Sequence, residues 1–455
     1  MNLNDYISSV KDKKIAVVGF GVSNAPLIFR LLEAGCNVRV CDRSAREAIG
    51  EAADRAEAMG ATLTLGKDYL KDLDADIIFR TPGMRYDIPE FVNAHLRHNS
   101  EITSEMEIFF QLCPCRIIAV TGSDGKTTTT TIISKLLEAA GYNVHLGGNI
   151  GKPLLCEVDD MKPDDIAVLE LSSFQLMTLQ QSPDIAVVTN LAPNHLDVHR
   201  DMDEYVDAKK NIFRYQDPAD RLVLNYDNEI TRSFIEECKC GELFLFSRKT
   251  RVMGAYTEND AIYFNGMKIM DTDEILLPGV HNIENYMAAF AAVWGLVPPE
   301  ICRKVAMEFT GVEHRIELVR EKDGVKYYND SIASSPSRTI AGLRSFDQKV
   351  ILIAGGKDKG VPFDILGGEI IEHVKTLVVT GLTAEKIKDA VVKAPGYNGS
   401  PNIIHEPDFR DAVIAASNAA EAGDIVILSP ACTSFDRFKN FAERGNYFKE
   451  IVREL

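Results

Sequence analysis

No run of apolar residues in this 455-residue chain approaches the length of a membrane span. The opening Met1-Asn2-Leu3-Asn4-Asp5 also lacks a signal-peptide pattern, so a cytoplasmic protein without a membrane span is expected. Positive charge is scarce. Fifty Lys and Arg stand against 67 Asp and Glu, a net charge of −17, which argues against a general binder of nucleic acid or anionic membrane while leaving room for a local basic pocket. The nine cysteines are odd in number and scattered, often in strand-like runs at Cys36, Cys41 and Cys432, which suits reduced core thiols rather than a disulfide framework. Cys113-Pro114-Cys115 and Cys238-Lys239-Cys240 are close pairs with one intervening residue and no partner pair, a poor match to zinc spacing. Low-complexity tracts and short repeats are missing as well. What remains is a globular composition, 45% hydrophobic and 26% charged, at a length that calls for about two to four domains.

The strongest positive feature is Val120-Thr121-Gly122-Ser123-Asp124-Gly125-Lys126-Thr127-Thr128. An apolar strand-like run, Cys115 to Val120, precedes it, and Ile132, Ile133, Leu136, Leu137 and Ala140 follow at helical spacing. The loop therefore opens a helix whose first N–H groups and positive dipole end favour anions. Gly122 and Gly125 allow close approach to phosphate oxygens, Lys126 can reach terminal phosphates, and the Thr127 hydroxyl can ligate Mg²⁺. Two residues, rather than the usual four, separate the first glycine from Gly-Lys.

Three segments are expected: 1–103, 104–311 and 312–455. The first opens with Lys14 to Val18, the turn Gly19-Phe20-Gly21-Val22-Ser23-Asn24, a helical pattern at Leu27, Leu31 and Leu32, and a second strand from Asn37 ending in Asp42. That is a Rossmann-like layout, but Asn24 stands where the third glycine of the dinucleotide fingerprint belongs, so NAD or another nucleotide diphosphate both remain open. Asp76 to Phe79, followed by Thr81-Pro82-Gly83, reads as a later strand of the same sheet. In the second segment, strands at 117–120, 166–171, 185–189 and 222–224 alternate with helical patterns, predicting a mostly parallel sheet of P-loop ATPase type. Asn259 to Ile269 has hairpin chemistry. Runs at 350–354, 377–380 and 425–428 predict another Rossmann-like α/β unit in the third segment.

Leu169-Glu170-Leu171-Ser172-Ser173-Phe174-Gln175 puts an acid at the end of a buried strand beside the one feeding the phosphate loop. Such a carboxylate is costly unless it is paired, bound to metal or met by helix N–H groups, and the metal reading fits Mg²⁺ between phosphates. Asn194-His195-Leu196-Asp197-Val198-His199 follows the next strand. Zinc is disfavoured by the absence of a third ligand; His195 reads as a ligand of a second Mg²⁺ or a substrate contact, and His199 as a surface residue.

Together with Lys209-x-x-Ile212-Phe213 and Gly279-x-His281-Asn282-x-x-Asn285, these motifs resemble the Mur ligases, ATP-dependent enzymes that add amino acids to a peptidoglycan precursor. The run Leu428-Ser429-Pro430-Ala431-Cys432-Thr433-Ser434-Phe435 through Gly445 narrows the resemblance to the member taking UDP-N-acetylmuramoyl-L-alanine and D-glutamate. It implies a monomer using ATP and two Mg²⁺ ions through an acyl phosphate. Catalytic roles fall on Lys126, His195 and Lys209. Metal ligation falls on Thr127, Glu170, His195 and Lys209, the last at the position where the family carries a carbamylated lysine. ATP contacts are implied for Gly122, Ser123, Asp124, Gly125, Lys126, Thr127, Thr128, Asn285, Arg315 and Asp330, with ATP in the cleft between the second and third segments. Val22, Ser23, Asp42, Gly83 and Asn149 match contacts to the uridine substrate, and Ser334, Lys359, Ser434 and Phe441 match contacts to D-glutamate.

The sequence departs from that family pattern in places. Ile332 replaces a frequent lysine, Ser334 a threonine and Asp124 an asparagine, while Arg43 puts a large cation beside Asp42.

Overall fold

The computed structural model describes residues 1–193 and 198–455. The chain divides into two compact units, Met1–Thr272 with Glu284–Val305, and Asp273–Ile283 with Ala306–Leu455. The first unit holds two sheets. One has five parallel strands in the spatial order Thr62–Leu65, Asn37–Asp42, Lys14–Val18, Ile77–Phe79 and Glu101–Thr103. Its central strand buries Ile15 to Val18 on both faces, the pattern of a sheet covered by helices. Asn24 explains the absent glycine: its φ of −102° is ordinary, and its carboxamide donates to Val18 O at 3.0 Å. No left-handed residue is needed there.

The other sheet has nine strands, ordered Met267–Asp271, Ala261–Phe264, Gly254–Glu258, Glu242–Ser247, Arg221–Asn225, Ile185–Val188, Arg116–Thr121, Ile166–Glu170 and Val144–Gly148. Only the two pairings that involve the hairpin 261–271 are antiparallel. That hairpin turns through Asn265-Gly266, both at positive φ, as a two-residue turn requires. Arg116–Thr121 lies between Ile166–Glu170 and Ile185–Val188, with Val120 paired to Glu170 and Thr121 to Val188. A strand flanked by two parallel neighbours carries its loop out over the C-terminal ends of all three.

The second unit contains six strands, ordered Glu317–Lys322, Val325–Asn329, Ile425–Leu428, Val350–Gly355, Val374–Thr380 and Asn402–His405, antiparallel only at the first pair. All six residues of Val350–Gly355 are buried. Helices cover both faces, as the two separate apolar clusters show.

The helix Met202–Arg214 carries side chains that reach the loop after Arg116–Thr121. Asp201 caps it, its carboxylate accepting the Glu204 N–H at 2.8 Å, and Tyr205, Ala208, Ile212 and Phe213 form its buried face. Asp201→Ala is expected to cost about 1 kcal/mol and Asp201→Asn much less, because asparagine retains the capping oxygen. Urea unfolding of the two variants checks this, and equal losses would contradict it.

Candidate active site

The phosphate loop is built around two glycines whose positive φ and close neighbours disfavour any side chain. Gly122 has φ +153°, and a Cβ there would lie 1.9 Å from Thr189 Oγ1; Gly125 has φ +77°, and its Cβ would lie 2.4 Å from Asn285 Oδ1. Neighbouring strands brace the loop. Ser123 N–H donates to Asn190 O at 2.8 Å, Asp124 N–H to Asn190 Oδ1 at 3.0 Å, and the Thr189 hydroxyl to Asp124 O at 2.6 Å. Ser123 Oγ accepts the Ala192 N–H and sits 2.9 Å from the Tyr205 hydroxyl. Lys126 arches back over the loop, donating to Gly122 O at 2.9 Å and Ser123 O at 2.8 Å. Thr128 is half-buried and Asp124 exposed.

Glu170 is 2% exposed. Its donors are side chains rather than helix N–H groups: Thr127 Oγ1 at 2.6 Å on one oxygen and Asn149 Nδ2 at 2.7 Å on the other. A carboxylate and a hydroxyl in contact beside a phosphate loop fit Mg²⁺, which binds through one or two carboxylates and fills its remaining positions with phosphate oxygens and water. Among the described residues no cluster of three His, Cys, Asp or Glu gathers as a protein-only metal cage. Asn285, assigned to the nucleotide from sequence, accepts from Thr129 Oγ1 at 3.2 Å and so lies against the helix that the loop opens.

His195 falls outside the described residues. His199 corrects the sequence reading, because it is buried rather than at the surface. Its Nε2 lies 2.9 Å from Ser173 Oγ, and its ring stacks on Phe174 at 5.3 Å and meets Tyr205 edge-on. Polar loop sequence gave no sign of this aromatic packing.

On the first sheet, Asp42 accepts N–H bonds from Phe20 at 2.6 Å and Ser44 at 2.7 Å, fixing the turn that carries exposed Val22 and half-buried Ser23. Burial pushes its carboxyl up, but those N–H donors outweigh burial and leave it below the usual range. Gly83 and Arg43 are exposed.

In the second unit, Asp330 is 4% exposed and accepts from Ser429 Oγ at 2.7 Å; burial raises its carboxyl to about 7 against that hydrogen bond. Arg315 is half-buried. Lys359 Nζ reaches Ser334 Oγ at 3.2 Å. The buried Ser434 hydroxyl has no hydrogen-bond partner among the described residues, and Phe441 is 39% exposed. Buried Arg444 donates to Ser331 Oγ, Ser331 O and Cys432 O, while Ser331 Oγ donates to Phe441 O, so one guanidinium links the chain stretches bearing these residues.

Lys209, which the resemblance assigns to metal ligation, lies against the phosphate loop. It is 2% exposed, and its amine donates to Thr121 Oγ1 and Gly122 O, each at 2.9 Å. Lys210 beside it points outward to Glu237. Desolvating an ammonium costs several kcal/mol, and two neutral hydrogen bonds return about 1 kcal/mol each. Burial therefore pushes the Lys209 amine well below its ordinary pKa; Lys126 adds to this and Glu170 opposes it. Folding thus favours the neutral amine, whereas the unfolded chain keeps the proton up to about pH 10.4. In carbon-dioxide-free buffer, wild-type stability relative to Lys209→Met is expected to rise with pH through that window, by up to about 1.4 kcal/mol per unit. A flat difference in unfolding free energy would mean that the amine stays charged.

Comparison with known proteins identifies the family. The Mur ligase middle domain family matches residues 120–293, and the Mur ligase, glutamate ligase domain family matches residues 314–432. The UDP-N-acetylmuramoylalanine–D-glutamate ligase of Acetivibrio thermocellus is 53% identical over 462 aligned residues, covering 100% of this chain and 99% of the relative. The enzyme of the same name from Clostridium novyi is 52% identical, covering 99% of each chain. The crystal structure of UDP-N-acetylmuramate-alanine ligase from Thermotoga maritima superposes with a TM-score of 0.60 at 18% identity, covering 97% of this chain and 99% of that one, which shows a shared fold. The chain belongs to the Mur ligase family.

Proposed function

We propose that the chain is an ATP-dependent ligase joining D-glutamate to UDP-N-acetylmuramoyl-L-alanine through an acyl phosphate. The observation that carries the chemistry is the meeting of the phosphate loop, the Thr127–Glu170 pair and the Lys209 amine at three adjacent strand ends. Choice of substrates rests on the names of relatives with about half their residues in common over the full length.

In the first step a carboxylate oxygen of the alanine attacks the γ-phosphorus of ATP, and the bond to the leaving ADP breaks. The D-glutamate amine then attacks the acyl carbon, phosphate departs and the nitrogen loses a proton. The protein's task is to hold charge and exclude misalignment. Residues Gly122 to Thr128 cradle the phosphates, with Lys126 opposite the transferring group. Mg²⁺ held by Thr127 and Glu170 would spread negative charge over phosphoryl oxygens. His195 is assigned to a second ion and Asn285, Arg315 and Asp330 to the nucleotide.

A neutral Lys209 has the lone pair that carbon dioxide needs: an N–C bond forms, a proton leaves, and the product is a carboxylate able to ligate metal. Lys126 nearby favours that anion by the same charge that disfavours an ammonium.

The proposal assigns segment 1–103, through Val22, Ser23, Asp42 and Gly83, to the uridine substrate, with Asn149 further along it. Segment 104–311 binds ATP, and segment 312–455 grips D-glutamate through Ser334, Lys359, Ser434 and Phe441. The orphaned Ser434 hydroxyl suits a carboxylate partner. The protein is taken to act as a cytoplasmic monomer; no helix among the described residues is long and apolar enough to cross a membrane.

ADP release is expected only with the uridine substrate, D-glutamate and Mg²⁺ together, and turnover with L-alanine or L-lysine in place of D-glutamate would refute the assignment. Lys359→Ala is expected to raise the D-glutamate KM at least about tenfold, the loss of one charged hydrogen bond. Lys209→Ala should abolish turnover, with partial rescue by a short exogenous carboxylate; normal activity in that variant would remove Lys209 from the mechanism.

A further inference from the structure

Two arginines after the strand Ile77–Phe79 have no role in the chemistry above. Arg80, 1% exposed, donates through one nitrogen to Met84 O at 3.0 Å and through the other to Phe174 O at 3.1 Å and Thr178 Oγ1 at 2.6 Å. It fastens the turn containing Gly83 to the short helix Ser173–Leu176, which begins just after Glu170. Arg85 grips two carboxylates at once: Asp87 at 2.7 and 2.8 Å, and Glu204 at 2.7 and 2.8 Å. It also donates to Val198 O at 3.1 Å. Arg200 closes the ring, its N–H donating to Glu204 and its guanidinium to Asp87.

Glu204 sits in the first turn of the helix Met202–Arg214. The next residue, Tyr205, touches Ser123, and Lys209 on the same helix holds Thr121 and Gly122. One rigid element thus connects the loop bearing Gly83 to the phosphate loop, and Arg85 is the joint at its near end.

We propose that Arg85, with Arg80 as its anchor, is a positioning residue that keeps the uridine-substrate loop in register with the helix presenting Lys209. The inference rests on the ligase reading above. The Arg85, Asp87 and Glu204 side chains are 17%, 21% and 22% exposed, so this bidentate network contributes to stability, while a misplacement of about 1 Å in a reacting group can cost about a hundredfold in rate. The effect of losing Arg85 therefore falls on turnover as well as on folding. Lysine cannot reproduce it, since a single ammonium lacks the planar fork that spans two carboxylates.

Steady-state kinetics on the full-length protein test this. Assayed well below the Tm of each variant, Arg85→Ala is expected to lower kcat about ten- to a hundredfold, with KM for ATP and D-glutamate within about threefold. Glu204→Ala should do the same, the double variant should be no worse than the weaker single one, and Arg85→Lys should recover only part of the loss. Wild-type kcat in Arg85→Ala, or additive losses that follow a falling Tm, would overturn the inference and leave the ligase assignment standing. A wild type without D-glutamate-dependent turnover would overturn the ligase assignment and the inference with it.

Discussion

The Lys209 amine, buried under the phosphate loop with oxygen partners at 2.9 Å and Lys126 nearby, is the constraint on which the site depends. An ammonium in that position would be desolvated and repelled. A neutral amine is tolerated, and so is an anion made from it, because Lys126 and bound cations would balance the charge. The same burial fixes geometry. Lys209 holds Thr121 and Gly122, Thr121 Oγ1 donates in turn to Leu171 O, and the strand ending in Glu170 is thereby tied to the loop it faces. Thr127, first in the helix after Lys126, closes the arrangement onto Glu170.

Much of this was legible in the sequence because it is local. The loop Gly122 to Thr128 advertises itself by glycine spacing and by the strand and helix on either side, and Glu170 by an acid ending an apolar run. Tertiary facts were harder to read. Only Tyr205, four residues before Lys209 on the same helical face, separates it from Lys210 in the sequence, yet one is enclosed and the other reaches Glu237. His199 looked like polar loop because its stacking partner Phe174 is distant in sequence. The edge strand Val144–Gly148 escaped notice because it ends in two glycines and none of Val144, His145 and Leu146 is fully buried. Arg80 escaped because a cation after an apolar strand carries no motif; its meaning lies in the carbonyls it finds.

Two departures from the family pattern are mild in this setting. Asp124 is exposed, so its charge is screened by solvent rather than pressed against phosphate, and Ser334 keeps a hydroxyl within reach of Lys359. Ile332 leaves the charge of the frequent lysine unreplaced at its own position.

The central claim is that the site at the phosphate loop activates a carboxylate by phosphorylation. Synthesis with UDP-N-acetylmuramoyl-L-alanine carrying oxygen-18 in its carboxylate, followed by mass analysis of the phosphate released, tests it most directly. The account requires one labelled oxygen to pass into each phosphate. Unlabelled phosphate accompanying normal amide formation would contradict it.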